Sequence, residues 1–344
     1  MSGTTLSVAM EDSLLTIHPD GGRSTEPSLA EMSCRCIAAD PELPGRAYCG
    51  TANDGLWRTD DGGLSWHAVA DGLRYRQVTA VAVSSTERGQ DGARVVYFGT
   101  EPSAVFRSAD GGDHWEELET LLGLSSAPTW SFPPRPDTHH VRWIAPDPGV
   151  SARLFVAIEA GALVRSDDAG RSWQDRVPSG PIDTHTLVVH AQDSRRLFSA
   201  AGDGYFESRD GGTTWQKLED GLRHRYVWGC IVDPEDPDTV VISASRSAMT
   251  AHSARGAESW IYRRSHRGPW QAVQEGLPQP DGTTISSLAV DPSERGVVYA
   301  ANNRGAFRSP DMGETWQRLD VPWSDRLLKQ RVAGVAVGRR AASS

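Results

Sequence analysis

Lysine is almost missing from this sequence: of its 35 basic side chains, all but Lys217 and Lys329 are arginine. Acidic side chains number 45 and the formal net charge is -10. No broad basic face is therefore expected to track phosphates, and nucleic acid is not an expected partner. Cysteine is scarce too. Cys34, Cys36, Cys49 and Cys230 are too few and too unevenly spaced for a disulfide framework, and they read as reduced thiols. No apolar run is long enough to cross a bilayer, and residues 1–15 lack the basic start and continuous apolar stretch of a secretory signal. A cytoplasmic protein with no membrane partner is the expectation. Also absent are a Gly-x-Ser-x-Gly elbow, a phosphate-cradling Gly-x-x-x-x-Gly-Lys loop and a dinucleotide fingerprint, which sets nucleotide chemistry aside.

What is present is glycine, 34 residues of it, spread among short apolar runs. Tight turns joining many short strands explain that pattern better than long amphipathic helices do, so the fold class is all-β. One phrase recurs, Ser/Thr-x-Asp-x-Gly-x-x-Trp, at Thr59 to Trp66, Ser108 to Trp115, Ser166 to Trp173, Ser208 to Trp215 and Ser309 to Trp316. A shortened copy at Ser265 to Trp270 keeps Gly268 and Trp270 but has lost the aspartate. Ser and Asp side chains bond nearby backbone N–H groups, glycine accepts a positive φ and tryptophan covers the hairpin. Each residue type in the phrase stiffens a turn.

Two further apolar runs precede each such hairpin, which makes four strands per unit. Six units begin near Ser33, Val78, Val141, Thr184, Val227 and Ile285. Residues 332–337 read as the innermost strand of a seventh unit, with residues 6–10 and 14–18 as its next two. The expectation is one domain over residues 1–344, a seven-bladed β-propeller with four-stranded blades and ring closure by both termini.

The repeated phrase resembles the Asp-box, or BNR repeat, of sialidases, sortilin-type receptors and a photosystem II assembly factor. That resemblance implies a propeller, with the box on the face away from any ligand site. It does not extend to sialidase chemistry: there is no Arg-Ile-Pro motif near the N-terminus, and no residues of the sequence are assigned to the nucleophilic Tyr–Glu pair of that family.

Propeller topology gathers the blade-to-blade connections and the loops between second and third strands on one face. The two largest insertions, residues 120–140 and 245–260, are one of each kind and would overhang the same mouth; loops of that length in a compact fold are commonly functional. Aligned on their apolar cores, the innermost strands bring Arg35, Thr79, Arg142, His185, Trp228, Ser286 and Ala333 to one equivalent position. Two residues earlier come Ser33, Gln77, His140, Asp183, Tyr226, Thr284 and Arg331, with Glu101, Glu159, Asp203, Arg246 and Arg304 on adjacent turns.

This concentration of titratable groups exceeds what a generic polar rim requires. His140, His185, His224 and Asp183 are the candidate acid–base residues. Arg35, Arg142, Arg225, Arg246, Arg304, Tyr226, Trp228 and Trp130 are the candidate ligand contacts. The histidine cluster is also a candidate holder of a divalent metal, although no close ligand spacing such as His-Glu-x-x-His supports it. Two functions compete. One is a pocket that binds a small anionic or polar ligand and could transform it, as an acid–base or metal-assisted hydrolase or lyase. The other is a non-catalytic scaffold that docks a protein or peptide through exposed aromatics and arginines.

Overall fold

The computed structural model describes residues 3–19, 22–24 and 27–340. Met1 and Ser2 of the N-terminal segment, and residues 341–344, lie outside them. The chain is a seven-bladed β-propeller: six sheets have four strands, and the seventh has three. Blade one runs from Cys34 to Ala68, blade two from Gln77 to Glu117, blade three from Val141 to Ser166, blade four from Thr184 to Lys217, blade five from Tyr226 to Val273 and blade six from Ser287 to Arg318. In blade three an isolated bridge between Arg165 and Gln174 stands where the fourth strand would be. The observed innermost strands start within two residues of the positions read from the sequence.

Blade seven joins the two ends of the chain. Val332–Arg339 pairs antiparallel with Thr4–Met10, which in turn pairs with Leu14–His18 and that strand with Arg23–Ser24. Alternation explains the choice of faces: Leu6, Val8 and Met10 point one way and are fully buried, packed with Ile17, Tyr299 and Val332. The chain falls into two compact units: Ala68–Leu218 with Gly50–Trp57 holds blades two to four and a part of blade one, and the rest of blade one joins blades five to seven in the other.

The recurring phrase is a turn held by its own side chains. In Ser108 to Trp115, the Gly112 N–H donates to Ser108 Oγ at 2.8 Å, Ser108 Oγ donates to Asp110 Oδ1 at 2.7 Å, and the N–H groups of Asp113 and His114 both reach that same oxygen. The Trp115 indole donates to Gly112 O and Val69 O. Equivalent bonds recur around Asp61, Asp168, Asp210 and Asp311. Two consecutive residues in these turns are left-handed, the second being the invariant glycine (φ 102° at Gly112). The first is Ala169 or Met312 in two copies, at φ 59° and 52°, so only the second position strictly demands glycine. No helix among the described residues is long and apolar enough to cross a membrane.

Candidate functional site

In five blades the innermost strand slips register near its start. The residues that the strand register steps over are Thr79, Arg142, His185, Trp228 with Gly229, and Ala333. These are positions that the sequence alignment made equivalent. A bulge inserts one residue and re-aims its side chain, so the same backbone device presents threonine in blade two, arginine in blade three, histidine in blade four and tryptophan in blade five.

Within blades two to four these presentations build a buried charged cluster. The start of blade three pairs Val141 with Ile158, so the flanking residues His140 and Glu159 face each other, and His140 Nε2 lies 2.7 Å from Glu159 Oε2. The bulged Arg142 brings Nε to 3.6 Å from the same oxygen. In blade four Thr184 pairs with Ala201, which sets Asp183 beside Gly202; Asp183 Oδ1 accepts the Ala160 N–H at 2.8 Å, and Oδ2 stands 3.7 Å from His185 Nε2. His185 is only 1% exposed and His140 6%. The ligating atoms of Glu159, Asp183 and His185 all lie within 4.8 Å of one another, the one such triad among the described residues.

The cluster continues outward through Glu101, whose Oε2 is 3.9 Å from His140 Nδ1. Arg135 clamps Glu101 with two hydrogen bonds of 3.0 and 2.7 Å, and its guanidinium lies over the Phe132 ring, which meets His140 edge-on. Burial raises the Glu159 pKa. The His140 hydrogen bond and the charges of His185, His140 and Arg142 overcome that and hold it well below the usual carboxylate range. Desolvation, followed by the charge of His140, lowers His139.

The insertion over residues 120–140 is ordered by packing. The hydroxyls of Ser125 and Ser126 both bond the Asp175 carboxylate, and Trp130 sits in the core cluster of blades two and three with its indole donating to Ser126 Oγ. Trp130 was expected as an exposed contact; at 5% exposure it anchors the loop from inside instead. Its size and apolarity drew it to the nearest core, a preference that the loop's length concealed.

The other unit carries a different chemistry. His224 stacks on Trp260 at 5.2 Å between ring centroids, and its Nδ1 is 2.6 Å from the Tyr262 hydroxyl. Desolvation lowers the His224 pKa. Tyr226 bonds His252 Nε2 through its hydroxyl and stacks near Trp228, which is 8% exposed. Arg225 is 3.7 Å from Glu219, and Arg246 is 2.9 Å from Glu258; both are largely exposed. Arg304 lies against Gly282, its Nη2 2.3 Å from where a Cβ there would stand, and its backbone N–H donates to Asn302. Arg35 is half-buried on the first strand of blade one.

Sequence reasoning named His140, His185, Asp183 and Arg142 but ranked Glu159 and Glu101 as mere turn residues and passed over Arg135. Strand register was the available signal for Glu159: once Val141 is set opposite Ile158, His140 and Glu159 are neighbours by construction. Arg135 had none, because its position depends on how a long loop folds back.

No family model matches the chain. It is 26% identical over 189 residues to a xyloglucanase from Paenibacillus sp, a match covering 49% of this chain and 18% of that protein. The chain thus spans under a fifth of that curated relative. Among solved structures it resembles YCF48 bound to D1 peptide, with a TM-score of 0.59 at 15% identity over 91% of this chain and 94% of that one. It also resembles an ancestral GH74 enzyme, with a TM-score of 0.58 at 17% identity over 83% of this chain and 38% of that one. At such identities the likeness is one of fold.

Proposed function

We propose that this chain is a ligand-binding propeller whose site is the cluster of His140, Glu159, Arg142, His185 and Asp183, and that its ligand is a small polar molecule. The observation that carries this is the pair of buried imidazoles that face carboxylates, at 2.7 Å for His140 and 3.7 Å for His185. Buried titratable groups gathered this densely cost folding free energy and are concentrated at functional sites.

Charge argues for a hydroxylated or amine-bearing ligand over an anionic one. Arg142 and Arg135 already face Glu159 and Glu101, and Asp183 adds a further negative charge. An arginine clamp that is already paired has little to offer an incoming carboxylate. Proton transfer by His140 or His185 is the chemistry the site could add to binding. Glycoside cleavage fits less well. Glu159 is held ionised by His140, His185 and Arg142 and so is no general acid.

Thermal-shift screening of the full chain against polyols, amines, carboxylates and xyloglucan oligosaccharides tests the reading. Uncharged or cationic polar compounds should raise the melting temperature of the wild type and of the exposed-turn control Gln90→Ala, but not of folded His185→Ala. Hits whose shifts survive in His185→Ala would overturn it.

A second reading is favoured by the ring-rich surface of blade five. Tyr226, His252, His224 and Trp260 lie beside exposed Arg225 and Arg246, a composition that suits a docked peptide. Peptide pull-downs that depend on Tyr226 and not on His185 would select that reading.

A further inference from the structure

We propose that Glu159, Asp183 and His185 form a binding site for one divalent first-row transition ion of the zinc class. This rests on the ligand-binding reading of the same cluster and names what the cluster holds before any organic ligand arrives.

The first support is spacing. His185 Nε2 and Asp183 Oδ2 are 3.7 Å apart, too far for a hydrogen bond. Nitrogen and oxygen ligands stand about 2.0–2.2 Å from such an ion, so two of them on one ion are separated by roughly 3–3.6 Å. The observed distance is within a few tenths of an ångström of that range, and Glu159 supplies a third donor inside the 4.8 Å triad.

The second support is the outer ring of bonds, which orients both carboxylates. Asp183 Oδ1 is taken by the Ala160 N–H, which turns Oδ2 toward His185. Glu159 is bonded by His140, a side chain 8% exposed whose Nδ1 is buried with no hydrogen-bond partner among the described residues, so its one strong contact serves Glu159. Ligating groups are commonly held in this way by a further shell of donors and acceptors.

The third support is room. A Cβ on Gly202 would stand 1.9 Å from Asp183 Oδ2 and 3.3 Å from the His185 ring, so only glycine lets these two groups occupy their places. Asp183, with 27% of its side chain exposed, gives an ion its way in. An imidazole beside two carboxylates favours zinc or another first-row ion over calcium or magnesium, which prefer oxygen alone.

The experiment is calorimetric titration of the chelator-treated full chain with Zn²⁺, alongside the conservative variants Asp183→Asn and Glu159→Gln, whose folding is checked by circular dichroism. One equivalent should bind the wild type, and each variant should bind at least tenfold more weakly. A Co²⁺-loaded wild type should show ligand-field absorption with no sulfur-to-metal charge-transfer band, which excludes the thiols of Cys34, Cys36 and Cys49 as the binders. Absence of saturable binding, undiminished affinity in both variants, or a sulfur band would each overturn the proposal. The wild-type cobalt spectrum decides even if a variant fails to fold. Small-ligand shifts measured without metal are a separate readout, so failure of the ion site and failure of the ligand reading are distinguishable.

Discussion

Asp110 and Asp183 carry the same side chain in opposite circumstances. Asp110 sits in a recurring turn and accepts hydrogen bonds from residues two to four positions away, every one supplied by its own phrase. Asp183 takes its partners from Ala160 in blade three and from His185, whose place a bulge decides. The turn carboxylates are satisfied locally and repeat in five copies. The cluster carboxylates are satisfied across strands, each in its own way. A carboxylate that closes its own turn is part of the scaffold, whereas Asp183 is held by the Ala160 N–H and still faces His185.

The comparison can be broken most severely on the scaffold side. Removing residues 1–18 takes away two strands of blade seven and the buried Leu6, Val8, Met10 and Ile17, so loss of the cooperative melt or insolubility is expected. A monomeric product with an unchanged melting temperature would contradict closure by the termini. Next in size is Trp215→Ala. Trp215 is 9% exposed and caps its turn through Gly212 O, and truncating a buried tryptophan costs roughly 3–5 kcal/mol. Denaturant unfolding should show this loss while any ligand affinity, corrected for the folded fraction, is retained.

Smaller still is Asp210→Ala, which removes a capping-type carboxylate and should cost about 0.5–2 kcal/mol. Asp183→Asn should instead weaken ligand or ion binding with a lesser effect on stability, and equal effects of the two on both measurements would dissolve the distinction. Acid titration sharpens the turn side further. Burial raises Asp61, but the bonds from Ser65, Thr59 and Leu64 outweigh it and leave its pKa at about 2. Its folded pKa lies below the unfolded value of about 3.9, so its contribution is present above pH ~4 and fades as pH falls toward 2. Asp61→Asn should lose stability at neutral pH and show a shallower fall through that window. The smallest effect belongs to Gln90→Ala, an exposed turn substitution that should stay within about 0.5 kcal/mol of the parent.

The same contrast explains what could be read in advance. Ser108, Asp110 and Gly112 announce their turn because the bonds that hold it lie within the eight-residue phrase. Once six such units were counted, four strands each and a shared seventh followed. The alignment of innermost strands also found Arg142 and His185, since all blades share a backbone frame. It could not foresee that a bulge would occur at those positions, nor that Glu159 would become the partner of His140, because both follow from register between strands. Trp130 reads from the sequence as an exposed aromatic anchor, and the structure instead buries it in one cluster with Leu118 and Leu121.

The pairing of Thr4–Met10 with Val332–Arg339 also has a consequence for the newborn chain. At ribosomal rates of about 5–20 residues per second, the early strand must wait on the order of tens of seconds for its mate. Through that interval it shows an unpaired ladder edge and four apolar side chains destined for burial, the usual invitation to pair with the wrong chain. Yield in the cell should therefore depend on how well this one hairpin, Thr4–Met10 with Leu14–His18, is shielded until translation reaches its last strand.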